Sequence, residues 1–247
     1  FRKKILNLSK LVNALHIGGS FSSVEILEVI YSYFLGKKDT FILSKGHSGI
    51  LQYVVLNMKG IISDFDLKNY CKKNGKLGVH PDYGNPGIEA STGSLGHGLG
   101  IATGIALSEK NTKKKVFVVI SDGELHEGSL WESILFISSN NLNNIVLVVD
   151  NNNLQSSTWT TDTHPSIYPI DKKFKSFGWD TKICNGHDTK KIYDSISKRD
   201  KSKPLALIAE TKKGYPVSFM TNNPIWHYRS PNKEEYELAI KEVDSYA

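Results

Sequence analysis

Three unbroken apolar runs stand out along the chain: Val116–Ser121, Asn144–Val149 and Pro204–Thr211. Runs without polar alternation predict strands buried on both faces, as in a parallel sheet with helices on each side. Shorter runs at Phe41–Ser44 and Trp179–Ile183 predict two weaker strands. Between them the apolar spacing changes to three and four. In Ser22–Phe34, residues Val24, Leu27, Ile30, Tyr31 and Phe34 share one helical face. Ser22 and Glu25, three apart, predict a capping box at its start. Leu95–Glu109 predicts a Gly- and Ala-rich helix against which another element can pack closely. Gly128–Ser139, Asp188–Ser197 with Asp188 as cap, and Glu234–Val243 with Asn232 as N-cap complete the helices. Strands alternating with helices predict an α/β fold, a doubly wound and mostly parallel sheet, in one domain over residues 1–247.

Composition narrows the function classes. Hydrophobic residues are 39% and charged residues 23%, which predicts a folded, water-soluble chain. No apolar run approaches the roughly 20 residues that cross a bilayer. The opening Phe1-Arg2-Lys3-Lys4 is followed by an apolar stretch too short for a secretory signal, and the lack of an initiating Met predicts a few preceding residues. The net charge of +6 is modest and the lysines are scattered, so no nucleic-acid face is expected. Lys113-Lys114-Lys115 reads as a solvated loop before a strand. Two distant cysteines, Cys71 and Cys184, argue against a disulfide framework and for a reducing, cytoplasmic setting.

In parallel sheets ligands sit beyond the carboxyl ends of the strands. Two strands here run into polar residues: Ser121-Asp122-Gly123 and Asp150-Asn151-Asn152. Taken alone, Asp122-Gly123 reads more readily as a turn and Asn151-Asn152-Asn153 as a polar loop; the 30-residue spacing with Glu127-Gly128 and Trp131-Glu132 between them favours a site. A right-handed crossover through Gly128–Ser139 would bring Asp122 and Asn152 to one sheet edge, on strands about 5 Å apart. A carboxylate and an amide oxygen there suit a hard divalent cation. Gly123 would let the backbone approach a phosphate, and the helix entered near Gly128 offers N–H groups. The Gly96, Gly98, Gly100 spacing is wrong for a dinucleotide fingerprint and reads as close helix packing.

The stretch from Ser121-Asp122-Gly123-Glu124-Leu125-His126-Glu127-Gly128 to Asp150-Asn151-Asn152 resembles the thiamine-diphosphate signature. Flanking motifs narrow the resemblance to the transketolases. They are His16-Ile17-Gly18-Gly19-Ser20, Ser44-Lys45-Gly46-His47, His80-Pro81, Thr92-Gly93-Ser94-Leu95-Gly96-His97-Gly98 and Trp226-His227, and they span about residues 10 to 240. The chain departs from the pattern at Leu15 and Ser121, where Gly is usual, at Ser94 for Pro, and at His97 for Gln. Ser121 matters if that position needs positive φ.

The resemblance implies the thiamine-diphosphate-binding fold, with thiamine diphosphate and Mg²⁺ as cofactors. Asp122, Asn152 and the Leu154 carbonyl would hold Mg²⁺. His47, Gly123 and His227 would contact the diphosphate, and Gly93, Ser94 and Leu95 the aminopyrimidine. His16, His80 and His227 would be the catalytic set lining the substrate channel. Glu127 would join a buried glutamate network at a subunit interface. His97, His126, His164 and His187 carry no assigned role, although His126 is a loose candidate for the diphosphate. The implied reaction moves a two-carbon ketol unit from a ketose or its phosphate to an aldose. Full transketolases have three domains, so the chain resembles the N-terminal subunit of a split enzyme. A C-terminal subunit would supply the pyrimidine-binding domain and an activating glutamate, in an α2β2 assembly. Two alternatives remain: the α chain of a 2-oxo acid dehydrogenase, and a non-catalytic binding module on the same fold.

Overall fold

The computed structural model describes residues 1–246. Helix α1 (Arg2–Ser9) leads to α2 (Ile17–Ser22) and α3 (Val24–Val29), then strand β1 (Thr40–Leu43), α4 (Gly49–Met58), α5 (Asp64–Lys68) and α6 (Gly98–Ser108). The centre of the chain is β2 (Val116–Ser121), α7 (Gly128–Ser139) and β3 (Ile145–Asn151), followed by a small hairpin of β4 (Leu154–Gln155) and β5 (Thr158–Trp159). The rest is α8 (Thr160–Thr163), α9 (Ile170–Ser176), β6 (Asp180–Asn185), α10 (Thr189–Ser197), β7 (Leu205–Glu210) and α11 (Lys233–Tyr246).

Five strands form one sheet in the order β1-β2-β3-β7-β6. Every neighbouring pair in it is parallel. The apolar runs explain why it is buried twice. Phe117, Val119, Val146, Val148, Leu205 and Leu207 pack into a core with α1, α3, α4 and α10. Val118, Ile120, Leu147, Val149, Ala206 and Ile208 pack on the opposite face with α6, α7 and α9. The doubly wound expectation therefore holds, and all five predicted strands form within two residues of their expected bounds.

Two expectations fail locally. The helix predicted over 22–34 is α3 followed by a wider π-type turn at Ile30–Phe34, and α2 precedes it. The Ser22–Glu25 capping box does not form. Ser22 Oγ donates to Gly19 O and to Asp150 Oδ2, and Glu25 is taken by Arg2. Long-range charge partners outcompete a local cap here. By contrast Asp188 Oδ1 accepts from Lys191 N (3.0 Å) as predicted. Asn232 Oδ1 accepts from Glu235 N (2.8 Å), and Glu235 Oε2 accepts back from Asn232 N (2.9 Å).

Candidate active site

The carboxyl ends of β2 and β3 lie side by side, with Ser121 in register with Asp150 and Asp122 N donating to Asp150 O (3.2 Å). The crossover through α7 thus brings Asp122 and Asn152 to one sheet edge. Above that edge is a cleft of about 230 Å³. His16, His47, His80, Gly93, Leu95, Gly123, Asn152, Leu154 and His227 line it, together with Ser121, Gln155, Ser156 and Lys213. Four predicted histidines from four separate segments therefore converge. His16 is central, with ring centroids 5.7 Å from His47, 5.9 Å from His80 and 5.1 Å from His227.

The loops deliver these rings by close contact. His47 sits in a single turn at Gly46–Ser48, straight after β1. His16 stands at the N-terminal boundary of α2, with its side chain free of the helix end, and Tyr53 OH donates to the His80 carbonyl (2.6 Å), fixing the loop that carries it. Gly93 has φ +127°, and a Cβ there would come 2.8 Å from the His80 ring. No other residue allows that approach. Ser121 has no positive φ, so its replacement of Gly causes no strain.

Electrostatically, three of the imidazoles, His16, His47 and His227, are held neutral beside buried charge. Burial, then His227 and His80, pull His16 down to about 3. Burial, then Lys213, lower His227 to about 4. Burial and Lys45 push His47 well below its usual range. Lys213, which sequence reading passed over, is itself buried and lowered to about 8, first by burial and then by Lys45. Its Nζ donates to Ser156 O (3.1 Å) and lies 3.0 Å from His227 Nδ1. Lys45 lies inside the Ser44–His47 motif, where the sequence assigns it no role of its own. It forms a fully buried ion pair with Asp150 and donates to Gly19 O (2.9 Å) and Ser23 Oγ (2.8 Å). The available signal was position: both lysines follow strand ends at the edge where ligands bind.

The metal candidates fit a cation in part by what they lack. Asp122 is fully buried, and its Oδ1 has no hydrogen-bond partner. Burial, then Asp150, raise its carboxyl to about 7. A cation would give that oxygen the partner the protein withholds. Asn152 Oδ1 accepts from Leu154 N (3.0 Å), which ties the two remaining candidates together.

Ser94 and Glu127 are exposed and outside the cleft lining. The buried glutamate of this stretch is Glu124, whose Oε1 accepts from Ser44 Oγ (2.5 Å) and Gly96 N (3.0 Å) while Oε2 has no partner. His126 does not line the cleft: it stacks on His164 at 4.0 Å, with Nδ1 2.6 Å from Gln155 Oε1.

Residues 10–241 match the family model described as transketolase, thiamine diphosphate binding domain. One subunit of the apulose-4-phosphate transketolase of Actinobacillus succinogenes is 37% identical over 241 residues, covering 92% of this chain and 87% of the relative. The 6-deoxy-6-sulfo-D-fructose transketolase subunit SqwG of a Clostridium species is 30% identical, covering 93% of this chain and 88% of that one. Human transketolase is 33% identical over 239 residues, but these are only 38% of its length. Transketolase from Campylobacter jejuni superposes with a TM-score of 0.92 at 24% identity, over 98% of this chain and 41% of that one, which shows the fold. The chain thus spans about two-fifths of the full-length enzymes and nearly all of the subunit relatives. With the family model covering all but its two ends, the chain belongs to the transketolase family, as its thiamine-diphosphate-binding domain.

Proposed function

We propose that this chain is the diphosphate-binding subunit of a two-chain transketolase, moving a two-carbon ketol unit from a ketose or ketose phosphate to an aldose. The observation that carries the reading is the convergence of His16, His47, His80 and His227 above a buried Asp122 with one unpartnered oxygen. Subunit-sized relatives named as transketolase subunits support the two-chain arrangement. They also favour it over a 2-oxo acid dehydrogenase α chain or a non-catalytic module. The partner would be a C-terminal chain with the pyrimidine-binding domain, the assembly α2β2, and the setting cytoplasmic. Among the described residues no helix is long and apolar enough to cross a membrane.

Asp122, Asn152 and the Leu154 carbonyl would hold Mg²⁺, which neutralises the diphosphate. Gly123, His47 and His227 would face that diphosphate, with Lys213 beside them. Gly93, Ser94 and Leu95 would border the aminopyrimidine, and Glu127 the partner. Thiamine diphosphate, when bound, supplies the thiazolium carbon at which the ketose carbon–carbon bond is cleaved and re-formed. The chain's own task is proton handling and orientation. His16 and His227 are neutral at working pH, so each can donate from one ring nitrogen and accept at the other. His80, on the same cleft, is placed to exchange a proton with a substrate hydroxyl.

Asp122→Ala and Asn152→Ala should each weaken Mg²⁺-dependent cofactor binding by at least tenfold, on the order of 1.4 kcal/mol, while the fold persists. Calorimetric titration of the assembled enzyme with thiamine diphosphate measures this, and unchanged affinity in both variants would remove the metal assignment.

A further inference from the structure

His187 lies outside the cleft, in the turn between β6 and α10, yet it is nearly buried and both ring nitrogens are engaged. Nε2 accepts from the Lys212 amide (2.9 Å), which requires that nitrogen to be unprotonated. Nδ1 therefore carries the hydrogen and points at Glu25 Oε2, 3.2 Å away. Glu25 is held in turn by Arg2, through Nη1 to Oε1 (2.7 Å) and Nη2 to Oε2 (2.9 Å). The ring packs on Tyr215 at 4.2 Å. Gly186 makes the approach possible: a Cβ there would come 2.4 Å from Thr211 Cγ2. Arg2, Glu25 and His187 thus form a rigid support ending on one backbone amide.

That amide sits between two groups of the site. Thr211, one residue before, donates to Asp150 Oδ1, the acid that pairs with Lys45. Lys213, one residue after, reaches Ser156 O and His227 Nδ1. We propose that His187 is a positioning residue: locked between Glu25 and the Lys212 amide, it sets where Thr211 and Lys213 meet the buried acid and the cleft histidine. It touches no reacting atom. The inference rests on the transketolase reading for its catalytic consequence, but the placement of Lys213 stands apart from it.

Two variants separate positioning from bulk. His187→Gln can place an acceptor oxygen near the Nε2 position and keep the Lys212 contact. His187→Asn is too short to do so and keeps only a donor near Nδ1. The first readout is the titration of the Lys213 side chain in the cofactor-free chain, followed by NMR of isotopically enriched lysine across pH 7–10.5. In the wild type its signal should shift near pH 8. His187→Asn should move that profile by at least one pH unit, and His187→Gln should restore it. The second readout is ketol transfer by the assembled enzyme, where His187→Asn should lower kcat/KM by about 10–100-fold, as misplaced site groups do, with His187→Gln recovering most of it. If the Lys213 profile is the same in wild type and His187→Asn, or both variants lose activity equally, the positioning role is overturned. A wild-type assembly with no ketol transfer but a shifted Lys213 titration in His187→Asn would instead overturn the transketolase reading and leave the positioning intact.

Discussion

His47 and His80 line the same cleft but should fail differently. His80 packs against Gly93, whereas His47 stands over Gly19 and beside Lys45 at the β1 end. His80→Ala should lower turnover by about 10²–10⁴, the usual value of a positioned acid or base, with little change in cofactor affinity. His47→Ala should chiefly weaken thiamine diphosphate. Steady-state kinetics beside calorimetry distinguishes them, and identical loss patterns would merge the two roles. His16 carries a pH signature of its own. Its folded value of about 3 lies below its ordinary 6.5, so the unfolded chain binds the proton first as pH falls. The stability it allows is present above pH 6.5 and is lost from there down towards pH 3. Denaturant melts of the cofactor-free chain from pH 7 to 4 should show this decline, and His16→Gln should make it shallower, with the similarly lowered His47 and His227 sustaining the rest.

At the level of elements, one sequence pattern has two outcomes. Ser22–Glu25 and Asn232–Glu235 both have a capping residue followed by Glu at the third position. Only the second closes as a box, because nothing buried competes for it. The box also has a reach beyond its helix. Glu235 takes both oxygens to Arg229, whose guanidinium lies 4.2 Å over Trp226, the neighbour of His227. Asn232→Ala should cost about 1 kcal/mol, as lost N-caps do, read as a lower denaturation midpoint with an unchanged denaturant slope. The weak strand β1 was legible by its apolar content, and β6 only faintly, through Trp179, Thr181 and Ile183 alternating with Asp180 and Lys182. Helices α1, α4, α5 and α9 were not, because short or uniformly buried segments show little amphipathic period.

At the scale of the whole molecule, the face that α6 and α7 present carries exposed apolar side chains. Ile101 on α6 and Leu135 and Phe136 on α7 are each exposed by more than two-fifths, alongside exposed Gly100, Gly104 and Glu127. Small and apolar residues together suit a closely packed protein interface. Leu135→Arg should therefore weaken assembly with the companion chain by at least tenfold, seen by sedimentation, and reduce ketol transfer in proportion. The chain alone should transfer no ketol unit; substantial turnover without a partner, contamination excluded, would show that it supplies its own activating base.

The strand runs, their parallel order of burial and the ends at Asp122 and Asn152 were determined by the sequence itself, since continuous apolar character and strand-end polarity are local properties. The four histidines of the cleft were visible as motifs, but only the tertiary structure decided that they share one space, because they come from positions 16, 47, 80 and 227. Buried partners were beyond sequence reading altogether. Lys45 with Asp150, Lys213 with His227, and His187 with Glu25 join residues 105, 14 and 162 positions apart. Burial turns such groups into obligate pairs, and burial is decided by how the layers close on one another.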